Sequence, residues 1–293
     1  MTGPLIAVDA PSLLYRAFFA LPKSIKGADG APVNALLGAA NLILQAVEVH
    51  APRAVVLCFG AEAAEYRVAL YPRYHADRVE MPDELVGQWE DAPAFFEAFG
   101  WRVEAHETLE ADDLLGALAR AEVAAGGHAL LFTGDRDMFQ CVGERVSVLW
   151  PGGGRAGPEE IDVAGVHARY GIEPAQVPDF IALRGDPSDG LPGAKGIGEK
   201  TARDLLREHG TLEDLIAAAD RPSAGLRPRV AETLRAQAAE LRSFREIATL
   251  RPVEVERPPD APLRRQDAAD AARARGMNRL ATRLDAWTAT PTA

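Results

Sequence analysis

Residues 191–202 read Leu-Pro-Gly-Ala-Lys-Gly-Ile-Gly-Glu-Lys-Thr-Ala, the most specific local signal in the chain. The three glycines permit a tight turn and a close approach of the backbone to a ligand. One helix is predicted to end near Arg184 and another to begin near Glu199, where free N–H groups and the helix dipole suit a phosphate. The pattern favours a helix-hairpin-helix element that grips the DNA backbone over an ordinary glycine-rich connector. The residues predicted to make this contact are Gly193, Lys195, Gly196, Gly198 and Lys200.

Helical periodicity surrounds the hairpin. We predict helices over residues 157–170, 176–184, 199–209, 212–219 and 229–248, an exposed connector over 252–262 and a helical tail over 266–287. The turn-rich stretch 151–158 (Pro-Gly-Gly-Gly-Arg-Ala-Gly-Pro) precedes them and breaks the pattern. A helical region is therefore expected at residues 156–293, with the helix-hairpin-helix element near 176–210.

The first half of the chain alternates short apolar runs with amphipathic ones. The apolar runs predict strands over residues 5–8, 54–59, 101–103, 129–133 and 146–150, and the amphipathic runs predict helices over 33–49, 83–99 and 109–125. Continuous apolar strands that alternate with helices indicate a mainly parallel sheet covered on both faces. Residues 1–155 are thus expected to form an α/β domain.

Composition sets outer limits on location and partners. Cys58 and Cys141 show neither metal-type nor disulfide-type spacing, so a reducing, cytoplasmic setting is expected. We see no signal peptide and no apolar run of about 20 residues, so no membrane partner is expected. The net charge of −11 argues only weakly against nucleic acid, because binding depends on local charge.

Eight carboxylates stand where strands end, where a helix opens or beside a Pro-Ser turn. They are Asp9; Asp135 and Asp137; Glu110, Asp112 and Asp113; and Asp186 and Asp189. Each alone could be a helix cap or could complement a helix dipole. Ligands of parallel sheets bind at the carboxyl ends of strands, so we expect the eight to converge in one cleft. Such a cluster suits two divalent ions about 4 Å apart, Mg²⁺ or Mn²⁺, that activate water and stabilise a leaving oxygen.

Taken in order, these motifs resemble the 5′-nuclease family. That family includes the N-terminal 5′→3′ exonuclease domain of bacterial DNA polymerase I, stand-alone bacterial flap endonucleases and phage 5′ exonucleases. The resemblance spans about residues 5–250 and rests on the hairpin and on the stretches 8–9, 14–18, 110–113, 133–137 and 185–189. It implies a PIN-like nuclease fold in a stand-alone, monomeric protein that cuts DNA at 5′ ends and 5′ flaps during replication and repair.

The resemblance also assigns roles to individual residues. The eight acids would hold two or three divalent ions, and backbone carbonyls of the hairpin would hold a K⁺ ion. Residues 66–67 and 74–81 match the segment that leads into a helical arch, expected near residues 66–95, under which a single 5′ strand passes. The remaining DNA contacts that it implies are Arg16, Arg67, His75 and Arg78, with Arg78 also among the catalytic residues.

Two departures from the family pattern bear on catalysis. Gly60 stands where the family has Asp, so we expect a gap at the cleft border and a preference for Mn²⁺. His75 stands where the arch has Lys, so a fixed positive charge near the scissile phosphate is lost. Both leave open a structure-specific DNA-binding protein with reduced catalysis. A ribonuclease of the PIN class is a third alternative, against which the glycine hairpin weighs.

Overall fold

A computed structural model describes residues 3–152, 157–221 and 225–287. Its centre is a six-stranded sheet of order β3-β2-β1-β4-β5-β6. The strands are β1 (Leu5–Asp9), β2 (Ala54–Phe59), β3 (Arg102–Ala105), β4 (Ala129–Phe132), β5 (Val146–Trp150) and β6 (Glu159–Ile161). The first five strands pair in parallel, and β6 is antiparallel to β5. The predicted mainly parallel sheet is confirmed.

Helices cover both faces of this sheet and build the second half of the chain. They are α1 (Ala10–Ala20), α2 (Asn34–His50), α3 (Glu65–Leu70), α4 (Asp83–Glu97), α5 (Ala111–Ala124), α6 (Val163–Tyr170), α7 (Val177–Arg184), α8 (Glu199–His209), α9 (Leu212–Ala219), α10 (Pro228–Ala248), α11 (Arg265–Ala274) and α12 (Asn278–Asp285). None of them, within the described part of the chain, has the length and apolar character needed to cross a membrane.

The central strands β1, β2 and β4 are buried along their whole length because each faces two cores. Leu5 and Ala7 of β1 point into a core shared with α5, α7 and α10. Ile6 and Val8, on the alternate face, point into a core shared with α1, α2 and α4. Burial on both sides removes the polar alternation that a half-exposed strand would show.

Three elements differ from the prediction. Helix α1 was not expected; it follows β1 directly, and Asp9 caps it by accepting a hydrogen bond from Ser12 N at 2.9 Å. Residues 159–161, expected to be helical, form β6 because they pair with the free edge of β5. The tail forms two helices instead of one, with Gly276 at φ 78° between them. Residues 153–156 of the predicted break, and with them the predicted boundary at 155, lie outside the described residues.

The C-terminal part returns to the first half of the chain. Helices α11 and α12 complete the core that α1, α2 and α4 begin. Arg275 forms an ion pair with Asp91 of α4. The connector before α11 is held by Arg53, whose buried guanidinium donates to the Pro258 carbonyl at 2.7 Å and pairs with buried Glu122. Residues 258–285 therefore pack against the first half of the chain through Arg53, Asp91 and the core that α1, α2 and α4 share.

The strand order fixes where a ligand can bind. Strands β1 and β4 are neighbours in the sheet. From β1 the chain continues to β2 on one side of this pair, and from β4 it continues to β5 on the other side. Such a switch point leaves a crevice beyond the carboxyl ends of the two strands. Asp9 is the last residue of β1, and Asp135 lies just beyond the end of β4.

Candidate active site

A cleft of about 510 Å³ opens at the switch point. Its acidic wall is formed by Asp9, Glu110, Asp112 and Asp135. An adjoining recess shares Asp135 and adds Asp186. Loops that are far apart in the sequence thus bring their carboxylates to one edge of the sheet, as predicted.

Hydrogen bonds fix the acids that follow β1 and β4. One oxygen of Asp9 accepts from Ser12 N, and the other accepts from Thr133 Oγ1 at 2.7 Å. Thr133 Oγ1 in turn accepts from Asp135 N at 2.9 Å, and Asp135 Oδ1 accepts from Asp137 N at 2.8 Å. The two strand ends are therefore tied together through Thr133, which holds the carboxylate of Asp9 and the backbone of Asp135, while Asp137 N holds the Asp135 carboxylate.

Burial and mutual repulsion disfavour the charged forms of these acids. Burial raises the pKa of Asp9, and burial followed by the charge of Asp135 raises the pKa of Asp112 well above its usual value. Burial and the charge of Asp189 raise the pKa of Asp135 to about 7. Burial and neighbouring Asp135, Asp189 and Asp186 raise the pKa of Asp137 well above the usual range. Six of the predicted acids thus lie close enough to act on one another.

A hard divalent cation would relieve this repulsion, and carboxylate oxygens are the ligands that such ions prefer. The donor set therefore fits the predicted chemistry. Across residues 3–152, 157–221 and 225–287, however, no three His, Cys, Asp or Glu side chains are placed to enclose one ion. The acids line an open cleft in which water and substrate oxygens would complete any coordination shell.

Glu110 and Asp113 differ from the other acids because Arg67 engages both. Glu110 Oε2 lies 2.6 Å from Arg67 Nη1 and accepts from the Tyr74 hydroxyl at 3.0 Å, and Oε1 accepts from Ala64 N at 2.8 Å. Asp113 is fully buried and lies 3.6 Å from Arg67 Nη2. Glu110 borders the cleft with both oxygens already in use.

The expectation that Asp113 faces the cleft is wrong. Its Oδ1 accepts from the backbone N–H of Arg251 at 2.8 Å, on the connector side of α5. Asp112 and Asp113 are consecutive residues of a helix, so their side chains point about 100° apart, and Asp112 lines the cleft while Asp113 is buried. Arg67 is only 3% exposed, so the prediction that it contacts DNA is also wrong. It neutralises buried acids and fixes the first turn of α5.

His75 lies in the interior instead of facing a phosphate. It adopts φ 55°, which turns its ring inward against Tyr74, with the ring centroids 3.8 Å apart. Nδ1 lies 2.9 Å from the Glu62 carbonyl and Nε2 lies 3.0 Å from Asp189 Oδ1. Its backbone N–H donates to the Asp189 carbonyl at 3.2 Å. His75 therefore joins the segment after α3 to the acidic turn after α7, and the prediction that it contacts DNA does not match this placement.

The position of Gly60 borders the cleft, as expected, but it leaves no gap. A Cβ at this residue would lie 2.5 Å from three backbone atoms: Ala111 N, Glu110 C and Leu109 O. The neighbouring Ala61 N–H donates to the Leu109 carbonyl at 2.9 Å. Glycine is required here because the chain that opens α5 packs directly against it. The expectation of a gap at Gly60 is wrong, because backbone atoms of residues 109–111 occupy that space.

The expected arch segment borders the cleft, and one of the two remaining arginines lines it. Within residues 65–97, α3 and α4 are joined by a non-helical stretch, residues 71–82. Arg78 lines the cleft, and its Nη1 donates to the Glu62 carbonyl at 3.2 Å. Arg16 is exposed on α1, with Nη2 at 3.4 Å from the Gly152 carbonyl. The Arg78 guanidinium is placed where a phosphate approaching the cleft could meet it, whereas Arg16 does not line the cleft.

The glycine hairpin joins α7 to α8 as predicted. Gly193 and Gly196 take φ 69° and 80°, and a Cβ on Gly193 would lie 2.3 Å from Gly185 N. Gly198 begins α8 with no side-chain cap, which leaves the first N–H groups of the helix open to a ligand. Lys195 and Lys200 are exposed beside it. The local geometry suits a phosphate at the α8 N-terminus.

Several residues at the site were not singled out from the sequence. Thr133 and Ser12 orient Asp9 and Gly134, and Ser188 N donates to Asp186 Oδ1 at 2.9 Å. Arg184, named from the sequence as an alternative carrier of the charge missing at Gly60 and His75, lies 3.2 Å from Asp186 Oδ2 and lines the recess. The hydroxyl residues lie two or three positions from an acid, a spacing at which side chains bond to nearby backbone. From that spacing the sequence could have predicted these contacts.

Comparison with known proteins adds independent findings. The family described as "5'-3' exonuclease, N-terminal resolvase-like domain" matches residues 4–171, and "5'-3' exonuclease, C-terminal SAM fold" matches residues 172–270. A 5'-3' exonuclease of Streptomyces coelicolor is 40% identical over 235 residues, which are 75% of this chain and 77% of that protein. DNA polymerase I of Mycobacterium tuberculosis is 37% identical over 258 residues, 87% of this chain. The chain spans only 28% of the length of that polymerase.

Solved structures agree on the fold. The T5 D15 protein co-crystallised with metal ions superposes with a TM-score of 0.69 at 17% identity, covering 96% of this chain and 97% of that one. The catalytic core of Rad2 in complex with DNA substrate gives 0.59 at 15% identity, covering 93% and 87%. These similarities extend over both halves of the chain, the sheet and the helical region.

Proposed function

Because this chain belongs to the 5′-3′ exonuclease family, we propose that it is a monomeric nuclease that hydrolyses DNA at 5′ ends and 5′ flaps with divalent cations. One observation carries the proposal: Asp9, Asp112 and Asp135 converge from three chain segments on one cleft at the switch point. A cluster of buried acids that repel one another is costly to a protein unless a cation uses it.

The cations would be held by the carboxylates of the cleft and its recess: Asp9, Asp112, Asp135, Asp137, Asp186 and Asp189. Mg²⁺ or Mn²⁺ at such a site supplies a water of lowered pKa and neutralises charge on the phosphate and on the leaving oxygen. Thr133 holds the carboxylate of Asp9 and Asp137 N holds that of Asp135, so little reorganisation is needed when substrate arrives. Arg78 at the cleft mouth would orient the scissile phosphate.

Duplex binding would come from the hairpin. The open N–H groups at the start of α8 and the exposed Lys195 and Lys200 offer contacts to phosphate oxygens and none to base edges. Binding should therefore be insensitive to sequence, as a nuclease that recognises DNA structure requires. A K⁺ ion held by the hairpin carbonyls stays a prediction.

The test uses a labelled 5′-flap DNA and an RNA of the same sequence, each incubated with Mg²⁺, Mn²⁺ or EDTA. DNA should be cut at the junction and from its 5′ end in either metal and not in EDTA. Asp135→Asn should abolish cleavage, whereas Asp204→Asn, an exposed acid of α8, should cleave like the parent. Cleavage in EDTA, preferential cleavage of RNA, or full activity of Asp135→Asn would refute the proposal.

A second candidate is a structure-specific DNA-binding protein with reduced catalysis. The contact between His75 and Asp189 favours it, because that carboxylate is already engaged. The same experiment separates the two. Tight flap binding with no product in either metal would support the binding protein, and metal-dependent product would exclude it.

A further inference from the structure

We propose that His75 is a positioning residue: it fixes the Asp189 carboxylate for a divalent cation and ties residues 71–82, the stretch between α3 and α4, to the acidic cleft. The inference rests on the proposed nuclease function and deepens it, because it gives a role to a side chain that does not face a phosphate. It starts from a contact between two residues 114 positions apart in the sequence.

Asp189 belongs to the group of acids around the cleft and its recess. It is only 9% exposed. Burial, followed by the charge of Asp189, raises the pKa of Asp135 to about 7, which places the two acids within each other's electrostatic reach. Asp189 can therefore contribute an oxygen to the cations that Asp135 would bind, provided that its side chain is held in one direction.

The donor that holds Asp189 differs from those that hold the other acids. Three acids accept hydrogen bonds from backbone N–H groups two or three residues further along the chain: Asp9 from Ser12, Asp135 from Asp137, and Asp186 from Ser188. Across residues 3–152, 157–221 and 225–287, the one hydrogen bond to the Asp189 carboxylate joins its Oδ1 to His75 Nε2, at 3.0 Å. His75 thus does for Asp189 what local backbone does elsewhere in the site.

Both nitrogens of the His75 ring are used. Nδ1 lies 2.9 Å from the Glu62 carbonyl, which can only accept, so Nδ1 is the donor of that bond. The ring is stacked on Tyr74, and the His75 side chain is only 3% exposed. Nε2, on the other side of the ring, therefore meets Asp189 from a fixed direction. A Lys here would carry one ammonium on a flexible stem and could not brace two partners on opposite sides.

The backbone makes a second link between the two segments. The His75 N–H donates to the Asp189 carbonyl at 3.2 Å, with His75 at φ 55°, a conformation uncommon outside glycine. A Cβ on the next residue, Gly190, would lie 2.9 Å from the Arg73 carbonyl oxygen. Because the segments are joined in this way, a cation that fixes Asp189 should also order residues 71–82, and the ordered segment should favour the cation in return.

The first experiment measures Mn²⁺ binding to the full chain without DNA, by isothermal titration calorimetry, so that cleavage plays no part. His75→Asn tolerates the same φ and keeps a donor in the place of Nδ1, but it does not reach Asp189. It should weaken at least one bound Mn²⁺ about 10-fold, as loss of a partner of a metal ligand does. His75→Gln carries its amide donor one atom further out, in the place of Nε2, and should recover most of that affinity.

His167→Ala is the matched control. His167 also contacts a carboxylate, with Nε2 2.9 Å from Glu173 Oε1, but the pair is exposed and lies outside the cleft. This variant should bind Mn²⁺ like the parent. A thermal melt of each variant checks that the chain is folded.

The second experiment measures amide hydrogen exchange of residues 71–82 in the same DNA-free proteins, with Mn²⁺ or with EDTA. In the parent, Mn²⁺ should slow exchange in this segment, including the His75 amide that donates to Asp189. In His75→Asn, exchange in Mn²⁺ and in EDTA should be the same. A residue that only supports the fold would change exchange equally in both solutions.

The outcomes separate this role from the proposed function. Equal Mn²⁺ affinity in the parent and His75→Asn, or exchange that ignores Mn²⁺ in the parent, would overturn the positioning role even if flap DNA were cleaved. Tighter Mn²⁺ binding in His75→Asn would also overturn it, because His75 would then be competing for the carboxylate. Weaker binding that His75→Gln recovers, with no cleavage in any metal, would support the positioning role and refute the nuclease.

Discussion

Replacing Gly60 by Ala tests the most unexpected contact in the active site. The new Cβ would lie 2.5 Å from Ala111 N, Glu110 C and Leu109 O. Non-bonded heavy atoms are in favourable contact at about 3.5 Å, so the segment at Gly60 and the segment at residues 109–111 must separate by about 1 Å. All three neighbours are backbone atoms at the start of α5, and no side-chain rotation can relieve the overlap.

The cost follows from that separation. Overpacking of this kind costs about 1–3 kcal/mol, and weakening the bond from Ala61 N–H to the Leu109 carbonyl adds about 1 kcal/mol. For a chain of this size, a loss of about 3 kcal/mol corresponds to a fall in Tm of about 6–12 °C. Because the displaced turn carries Glu110 and Asp112, cleavage should also fall about 100-fold, the effect of a shift of about 1 Å at a reacting group. Gly60→Asp should behave similarly and should not raise the rate in Mg²⁺.

The assays are a thermal melt followed by circular dichroism and single-turnover cleavage of a 5′ flap. Gly87→Ala is the control: Gly87 lies inside α4, with nothing within 4 Å of an added Cβ. The free energy of unfolding of that variant should rise by up to about 1 kcal/mol because Ala has a higher helix propensity than Gly, and the variant should cleave like the parent. A Gly60→Ala protein with the Tm and rate of the parent would show that the start of α5 can move freely, and the packing argument would fail.

Three further predictions follow from the same contacts. Asp112→Asn should lower single-turnover cleavage about 100-fold or more while flap affinity stays near the parent's; equal rates would remove Asp112 from the site. Lys200→Ala should weaken binding to all DNA sequences alike and reduce the slope of log affinity against log salt by about 0.9, whereas Arg279→Ala on α12 should leave the slope unchanged. Loss confined to some sequences would point to base reading instead. Arg53→Ala leaves buried Glu122 with Arg257 as a partner but removes the buried Arg53–Glu122 pair and the bond to the Pro258 carbonyl, and should cost about 3 kcal/mol in a thermal melt, against less than about 1 kcal/mol for Arg242→Ala, which breaks an exposed pair; similar costs would contradict the assigned burial.

Features set by local periodicity could be predicted from the sequence. The bounds of β5, α8 and α9 match the predicted ranges, since apolar runs and helical spacing are local properties. The convergence of the acids was also predictable, because parallel strands present their carboxyl ends at one edge. Strand β6 was not, since two of its three residues are exposed glutamates and only pairing with β5 makes it a strand.

Other parts of the site depend on contacts between distant segments. The sequence shows that Gly60 lacks a side chain, but not that the backbone of another segment fills the space. It shows that Asp112 and Asp113 are both acids, but which one faces the cleft depends on how α5 is rotated in its packing. The burial of Arg67 likewise requires knowing that α3 packs against α5 through buried acids.

The contacts of Gly60 remove the reason for expecting a preference for Mn²⁺. That expectation depends on a gap where a carboxylate is missing at Gly60. No side chain fits at Gly60, so there is no gap for water or a shifted ion to fill. His75 bears on the charge of the cleft more directly, because its ring lies 3.0 Å from Asp189 Oδ1 and its backbone N–H holds the Asp189 carbonyl. The two departures are therefore different in kind: Gly60 is required by backbone packing, and His75 contacts one oxygen of the Asp189 carboxylate.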